Sequence, residues 1–195
     1  MFQKGYKELK IISLYTGSYK KQFYLREISR LSQIPLKTCQ NVLFNLERSK
    51  ILKSKVEGKN KYFSLNLENI QTKLQLLQAE IHKTRIFLEK YPEFKIFLKS
   101  VNTNIPIIVF GSFAKFKADK NSDLDLVILS ENEKLPFHLL PYKIHKIDLS
   151  ESSFVKSAGK ETLLKEIEEN HIVLNNPSFY VNVMWGYYGQ LELVL

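Results

Sequence analysis

Residues 107–129 read IIVFGSFAKFKADKNSDLDLVIL, and the fold turns on them. Ile107 to Phe110 form an apolar run that predicts a buried strand. Gly111-Ser112 breaks it, a basic and polar spacer follows, and then comes Ser122-Asp123-Leu124-Asp125-Leu126-Val127-Ile128-Leu129. Side chains at i and i+2 of a strand share a face. Asp123 and Asp125 are therefore expected side by side, with Leu124 and Leu126 turned into a core. Two carboxylates that close repel each other unless a cation lies between them, and an all-oxygen site calls for Mg²⁺ or Mn²⁺ rather than zinc. Gly111 has no Cβ, so a phosphate can approach its backbone. Ser112 offers a hydroxyl, and a helix expected from near Phe113 would turn free N–H groups toward an anion. A phosphate cradle and a metal-binding pair, about ten residues apart on adjacent elements, are the equipment for chemistry on a nucleoside triphosphate.

The segment resembles the signature of the DNA polymerase β-like nucleotidyltransferases, in particular the minimal type related to kanamycin nucleotidyltransferase. That signature is a hydrophobic run, Gly-Ser, a spacer and Asp-x-Asp in an apolar strand. The matching residues are Gly111, Ser112, Asp123 and Asp125, with Ser122 before the first aspartate as is common there. The resemblance implies Asp123 and Asp125 as catalytic metal ligands for Mg²⁺ or Mn²⁺. It also implies ATP or another nucleoside triphosphate held by Gly111, Ser112, Lys115 and Ser122, and transfer of NMP to a hydroxyl acceptor. A third catalytic carboxylate is expected from the next strand, and Asp148 fills that role, with Glu151 as the fallback. Many relatives read Gly-Ser-x-Ala-Arg-Gly where this chain has Gly111-Ser112-Phe113-Ala114-Lys115-Phe116. Lys115 keeps the charge, and Phe116 stands in place of the glycine.

The 195 residues carry a net charge of +9, and it is unevenly placed. Residues 1–65 hold fourteen Lys/Arg against four Asp/Glu, while residues 66–195 hold fifteen against sixteen. All the excess positive charge thus falls in the first third, which points to a nucleic-acid-binding module joined to a neutral one. One cysteine allows no internal disulfide, as in a reducing interior. No apolar run is long enough to span a bilayer, and MFQKGYKELK lacks the apolar core of a signal peptide. The expected setting is the cytoplasm, without a membrane partner.

In that basic third, helices are expected over residues 6–19, from Tyr24 to Leu31, and from Pro35 through Leu46. A hairpin should follow, Ile51 to Val56 and Lys61 to Leu65, turning at Glu57-Gly58-Lys59-Asn60. Three helices and a hairpin resemble a winged helix-turn-helix, with Lys50 where such sequences usually carry glycine. On that resemblance the third helix enters a major groove. Lys37, Thr38, Gln40 and Asn41 then face double-stranded DNA, and Lys59 and Lys61, with Lys20 and Lys21, contact phosphates. Cys39, on the apolar side of its helix, reads as a core residue.

Residues 66–91 contain no helix breaker. Leu67, Ile70, Leu74, Leu77, Ile81, Thr84 and Leu88 are spaced as a heptad seam, which predicts a homodimer contact. Tyr91-Pro92 ends that helix, and a shorter one runs from Glu93 to Val101. After the Asp pair come a polar loop from Ser130 to Lys134, an irregular stretch, a strand over Lys143 to Leu149 and two helices. Ile172 to Asn176 resembles a segment near the end of many minimal nucleotidyltransferases, and a last apolar segment starts at Pro177. His82, His138, His145 and His171 show no ligand spacing and are assigned no metal.

The expected fold class is α+β. A winged helix-turn-helix covers residues 1–66, a connecting helix and dimer seam 67–101, and a nucleotidyltransferase domain 102–195, its small mixed sheet flanked by helices. The expected function is metal-dependent nucleotidyl transfer coupled to DNA binding. Two alternatives stay open: a transcriptional regulator whose transferase-like domain senses nucleotide without catalysis and, by resemblance only, an antitoxin that adenylylates a partner protein.

Overall fold

The computed structural model describes residues 2–130 and 133–189. It is a mixed α+β structure with two small sheets. Helices α1 (Phe2–Ile12), α2 (Leu25–Ser32) and α3 (Leu36–Arg48) come first. A three-stranded antiparallel sheet completes this half, in the order β1 (Phe23–Tyr24), β3 (Asn60–Leu65), β2 (Leu52–Glu57). Its hairpin turns where expected, with Gly58 at φ +59°. The first helix ends at Ile12 and is followed by a single turn of tighter helix, Ser13–Tyr15, so the expected span to residue 19 is not filled by helix. The α3 terminus explains Lys50. Ile51 N–H donates to Leu46 O and Lys50 N–H to Glu47 O, each at 2.9 Å, while Lys50 adopts φ +58°. That is a left-handed helix stop, normally given to glycine, made here with lysine. The turn therefore keeps its geometry despite the substitution.

Helix α4 (Ile70–Lys90) starts at Asn69, whose side chain accepts from Gln71 N–H. It packs on α1, on α9 (Pro177–Gly189) and on β7 (Ile172–Asn175). The buried stripe is Thr72, Leu76, Ala79, Glu80, His82 and Phe87, not the predicted seam. Ile70, Leu74 and Ile81 of that seam are 62%, 55% and 53% exposed. The offset has a physical cause: the buried stripe includes Thr72 and Glu80, so hydropathy favoured its neighbour.

Helix α5 (Glu93–Lys99) leads into the second sheet. Its order is β6 (Ile144–Asp148), β5 (Leu124–Ile128), β4 (Ile107–Val109), β7. β4 runs antiparallel to β5 and β7, and β5 runs parallel to β6, so the sheet is mixed. Both faces are covered, which is why β4 and β5 read as nearly unbroken apolar runs. Ile108, Val127 and Val173 belong to one core, with α1, α3, α4 and α9. Ile107, Val109, Leu124, Leu126 and Ile172 belong to a second, aromatic core with Phe87, Phe94, Phe97 and Phe113. Helices α7 (Glu151–Ser157) and α8 (Thr162–Glu169) close the chain between β6 and β7. The expected loop from Ser130 to Lys134 includes residues 131 and 132, which lie outside the described residues. Among the described residues no helix is long and apolar enough to cross a membrane.

Candidate functional site

Strand β4 delivers the chain to Gly111 in the middle of the sheet. Phe110 N–H donates to Asp125 O at 3.1 Å, so the bend after β4 is anchored to β5 at the aspartate itself. Gly111 has φ +67°, a conformation that glycine adopts at no steric cost. A Cβ on it would lie 2.2 Å from Asp125 Oδ2. The bend and the acid therefore touch, and only glycine leaves room for the carboxylate. The helix begun there, α6 (Gly111–Ala114), is a single turn that starts two residues earlier than predicted. Ser112 is half-buried on it, and Lys117 N–H donates to Ser112 O at 3.0 Å.

Asp123 precedes β5, and Leu124 and Leu126 are buried behind the acids. Leu124 N–H donates to Lys143 O at 2.8 Å and starts the parallel ladder with β6. Across that ladder Asp125 pairs with His145 and Ile128 with Asp148. His145 Nδ1 lies 3.1 Å from Asp125 Oδ1. Lys143 Nζ lies 2.8 Å from Asp123 Oδ2, and this hydrogen bond holds the ammonium above its ordinary pKa.

The register does not bring Asp148 to the pair. It sits three residues farther along, roughly 10 Å at the rise of a strand, and on the opposite face because the offset is odd. There it pairs with Lys146 at 2.6 Å. Glu151 opens α7, beyond that end of β6. The neighbour of Asp125 is His145, to which the spacing of histidines gave no role. Local sequence does not state how two parallel strands are aligned. A usable signal was the shared i, i+2 pattern of Lys143 and His145 against Asp123 and Asp125.

The other expected nucleotide contacts divide. Lys115 is exposed and leans toward Glu166 of α8 at 3.7 Å. Ser122 closes the spacer: its hydroxyl accepts from Asp119 N–H at 2.9 Å and lies 3.2 Å from Asp119 Oδ1. Phe116 holds φ +57°, so the left-handed position is kept without glycine, and its ring rests near Phe87 and Tyr91.

Residues 92–175 match the family model of the nucleotidyltransferase domain. The match takes in α5, all four strands of the second sheet, Gly111 and both aspartates. No curated protein and no solved structure matches the chain.

Nucleotidyltransferase domains generally use a divalent ion, and the donors within the matched residues can be judged for one. Among the described residues no three His, Cys, Asp or Glu side chains close into a ready-made cage. What the strands offer instead is the pair Asp123 and Asp125, each with a basic partner at β6. The two carboxylates are of the kind that suits a divalent ion, and His145 Nδ1 is hydrogen-bonded to one of them.

On the N-terminal half, Lys37, Gln40 and Asn41 are exposed on α3 and Thr38 is half-buried. Lys59 is exposed in the hairpin turn, while Lys61 is drawn 2.8 Å to Glu47 of α3. Lys20 lies over the ring of Tyr188 on α9. Phe44, on α3, is 63% exposed. Cys39 is buried, and burial pushes its thiol up to about 11.

Proposed function

We propose that the chain transfers a nucleoside monophosphate from a nucleoside triphosphate, ATP first among them, to a hydroxyl acceptor. The observation that carries this is the contact of Asp125 with the Gly111 bend. It joins the place where a phosphate can approach the backbone to the place where a divalent ion would be held. In this reading the Gly111–Ser112 backbone and the Ser112 hydroxyl bind the outer phosphates. Asp123 and Asp125 hold Mg²⁺ or Mn²⁺, which when bound neutralises the triphosphate and acidifies the acceptor hydroxyl. Asp125, fixed by the Phe110 backbone bond and by Gly111, keeps its carboxylate oriented toward the bend. Asp148 takes no part. The test is incubation of wild type and Asp125→Asn with labelled ATP and a cell extract, read as label transfer and pyrophosphate release. Asp125→Asn is expected to lose both with its fold retained, and undiminished transfer would remove the assignment.

We further propose that residues 1–66 act as a winged helix on duplex DNA, through Lys37, Gln40 and Asn41 on α3 and Lys59 on the turn. The exposed, strongly positive first third supports this. The exposed seam of Ile70, Leu74 and Ile81 is the surface we assign to a second copy of the chain, and light scattering of a Leu74→Glu variant tests it.

One observation favours the sensor reading: both aspartates have basic partners on β6, Lys143 and His145. A sensor would bind ATP, change its DNA affinity and release no pyrophosphate.

A further inference from the structure

We propose that the face of the N-terminal sheet turned away from α3 binds single-stranded nucleic acid, with bases on Tyr24 and Tyr62 and phosphates on the basic residues beside them. This surface is separate from the duplex-facing one on α3, and neither reading rests on the other.

The register sorts the sheet into two faces. Phe23, Phe63 and Ser54 are paired in a row across β1, β3 and β2. That row faces inward. Phe63 is buried, the Tyr15 ring meets Phe23 edge-on, and the Ser54 hydroxyl donates to Glu47 of α3. Lys61, two residues from Phe63, reaches the same Glu47. The next row is Tyr24, Tyr62 and Lys55. Alternation puts it on the other face, and Lys53 with it. The tyrosine row and α3 therefore lie on opposite sides of the sheet, and a duplex docked along α3 leaves the tyrosines to another ligand.

Chemistry selects that ligand. Residues 52–65 carry four lysines and one acid, Glu57. Lys53, Lys55 and Lys59 are exposed, and Arg26 and Lys59 border one hollow with Tyr24. Glu57 is tied to Lys55 at 3.0 Å, an exposed pair that yields readily to a competing anion. The cations alone would suit any polyanion; the tyrosines narrow the choice. Their rings stand on adjacent strands, centroids 5.9 Å apart and planes at 72°, edge to face. Such a contact uses one of the four ring faces. Both residues are half-buried, and neither belongs to either hydrophobic core. Aromatic rings side by side on a sheet, rimmed by positive charge, make a platform for unstacked bases. Bases within a duplex stack on one another and offer no such faces, so the platform takes a single strand.

The experiment uses the full chain and fluorescein-labelled DNA and RNA strands of one mixed sequence, about twelve nucleotides long. The duplex of that DNA is the third probe, and fluorescence anisotropy reads all three. Binding of either strand is expected, and the tighter of the two names the preferred sugar. Tyr24→Leu and Tyr62→Leu should each lower single-strand affinity about tenfold, whereas Tyr62→Phe keeps the ring and the affinity. Lys53→Gln with Lys55→Gln should reduce the logarithmic salt slope for the strand by about 1.4. Circular dichroism verifies that each variant folds. Lys37→Gln, on α3, should leave the strand bound as in wild type. Tyr62→Leu binding like wild type, Tyr62→Phe losing as much as Tyr62→Leu, or polyglutamate displacing the label as readily as unlabelled strand overturns the proposal. Duplex bound through Lys37 with no strand dependent on Tyr62 removes this inference and keeps the α3 reading. Strand bound through Tyr62 with duplex indifferent to Lys37 does the reverse.

Discussion

Gly111 and Lys50 share a backbone conformation and differ in what it serves. Gly111→Ala would press a methyl against Asp125 Oδ2 at a φ that alanine avoids. The carboxylate must then turn away, and nucleotidyl transfer should fall with Asp125 misaimed; labelled ATP and a melting curve together read this. Lys50→Gly relaxes a left-handed lysine whose side chain is exposed. It should stabilise the protein by about 1 kcal/mol, a rise of about 2–4 °C in the thermal midpoint. At this scale the sequence was informative wherever a local rule applied. The i, i+2 spacing and the Gly-Ser break forecast a close approach of bend and acids, and Asp125 lies against Gly111. That His145 rather than Asp148 lies across from Asp125 was not legible, because strand alignment is a property of two segments twenty residues apart, set by their packing.

Within α4 the informative feature is a charge inside the protein. Glu80 is fully buried, with Lys83 Nζ at 2.9 Å and His171 Nε2 at 2.9 Å. Lys83 also reaches Thr16 Oγ1 at 3.0 Å, and His171 Nδ1 faces the Ile167 carbonyl at 3.0 Å. Burial alone would raise the Glu80 carboxyl; His171 and Lys83 outweigh it and hold the carboxyl below its ordinary 4.5. Removing one partner of a buried pair costs about 3–5 kcal/mol, because the other charge is left without compensation. Glu80→Met should therefore lower stability by about that much, and Glu80→Met with Lys83→Met by less, as urea unfolding will show. The depressed carboxyl stays ionised in the folded protein when the unfolded chain has taken up its proton. Its contribution is complete above pH 4.5 and is lost as pH falls through the folded value. Glu80→Gln should flatten that acid limb. The heptad seam was plain in the sequence because it is apolar, and the buried stripe was hidden because its key member is ionised.

Across the whole molecule, the charge excess was visible from composition, and the mixed four-stranded sheet was expected from the apolar runs together with the resemblance they carry. Their attachment was not. If the basic third docks on duplex DNA, affinity should fall steeply with salt, and replacing Lys37 and Lys59 by Gln should reduce the logarithmic slope by about 2 in total. Fluorescence anisotropy across a salt series measures it, and a slope that both variants share with wild type would remove those contacts. The division at residues 66 and 101 follows elements of the sequence, whereas the packing crosses both points. One core runs from Ile11 and Ile12 through Leu76 and Ala79 to Val127 and Trp185. The Lys83 bond to Thr16 and the Glu80 bond to His171 bridge the same two halves.

That shared interior governs how the protein can be taken apart. A cut near residue 66 would strip α4 of the helix α1 that packs on it, take Tyr19 from Tyr188 of α9 and remove Thr16 from Lys83 beside Glu80. Recombinant halves should therefore precipitate or need each other to stay in solution, and limited proteolysis should nibble exposed turns without liberating a sturdy fragment. Heating should melt everything in one step, so head and body are best assayed together.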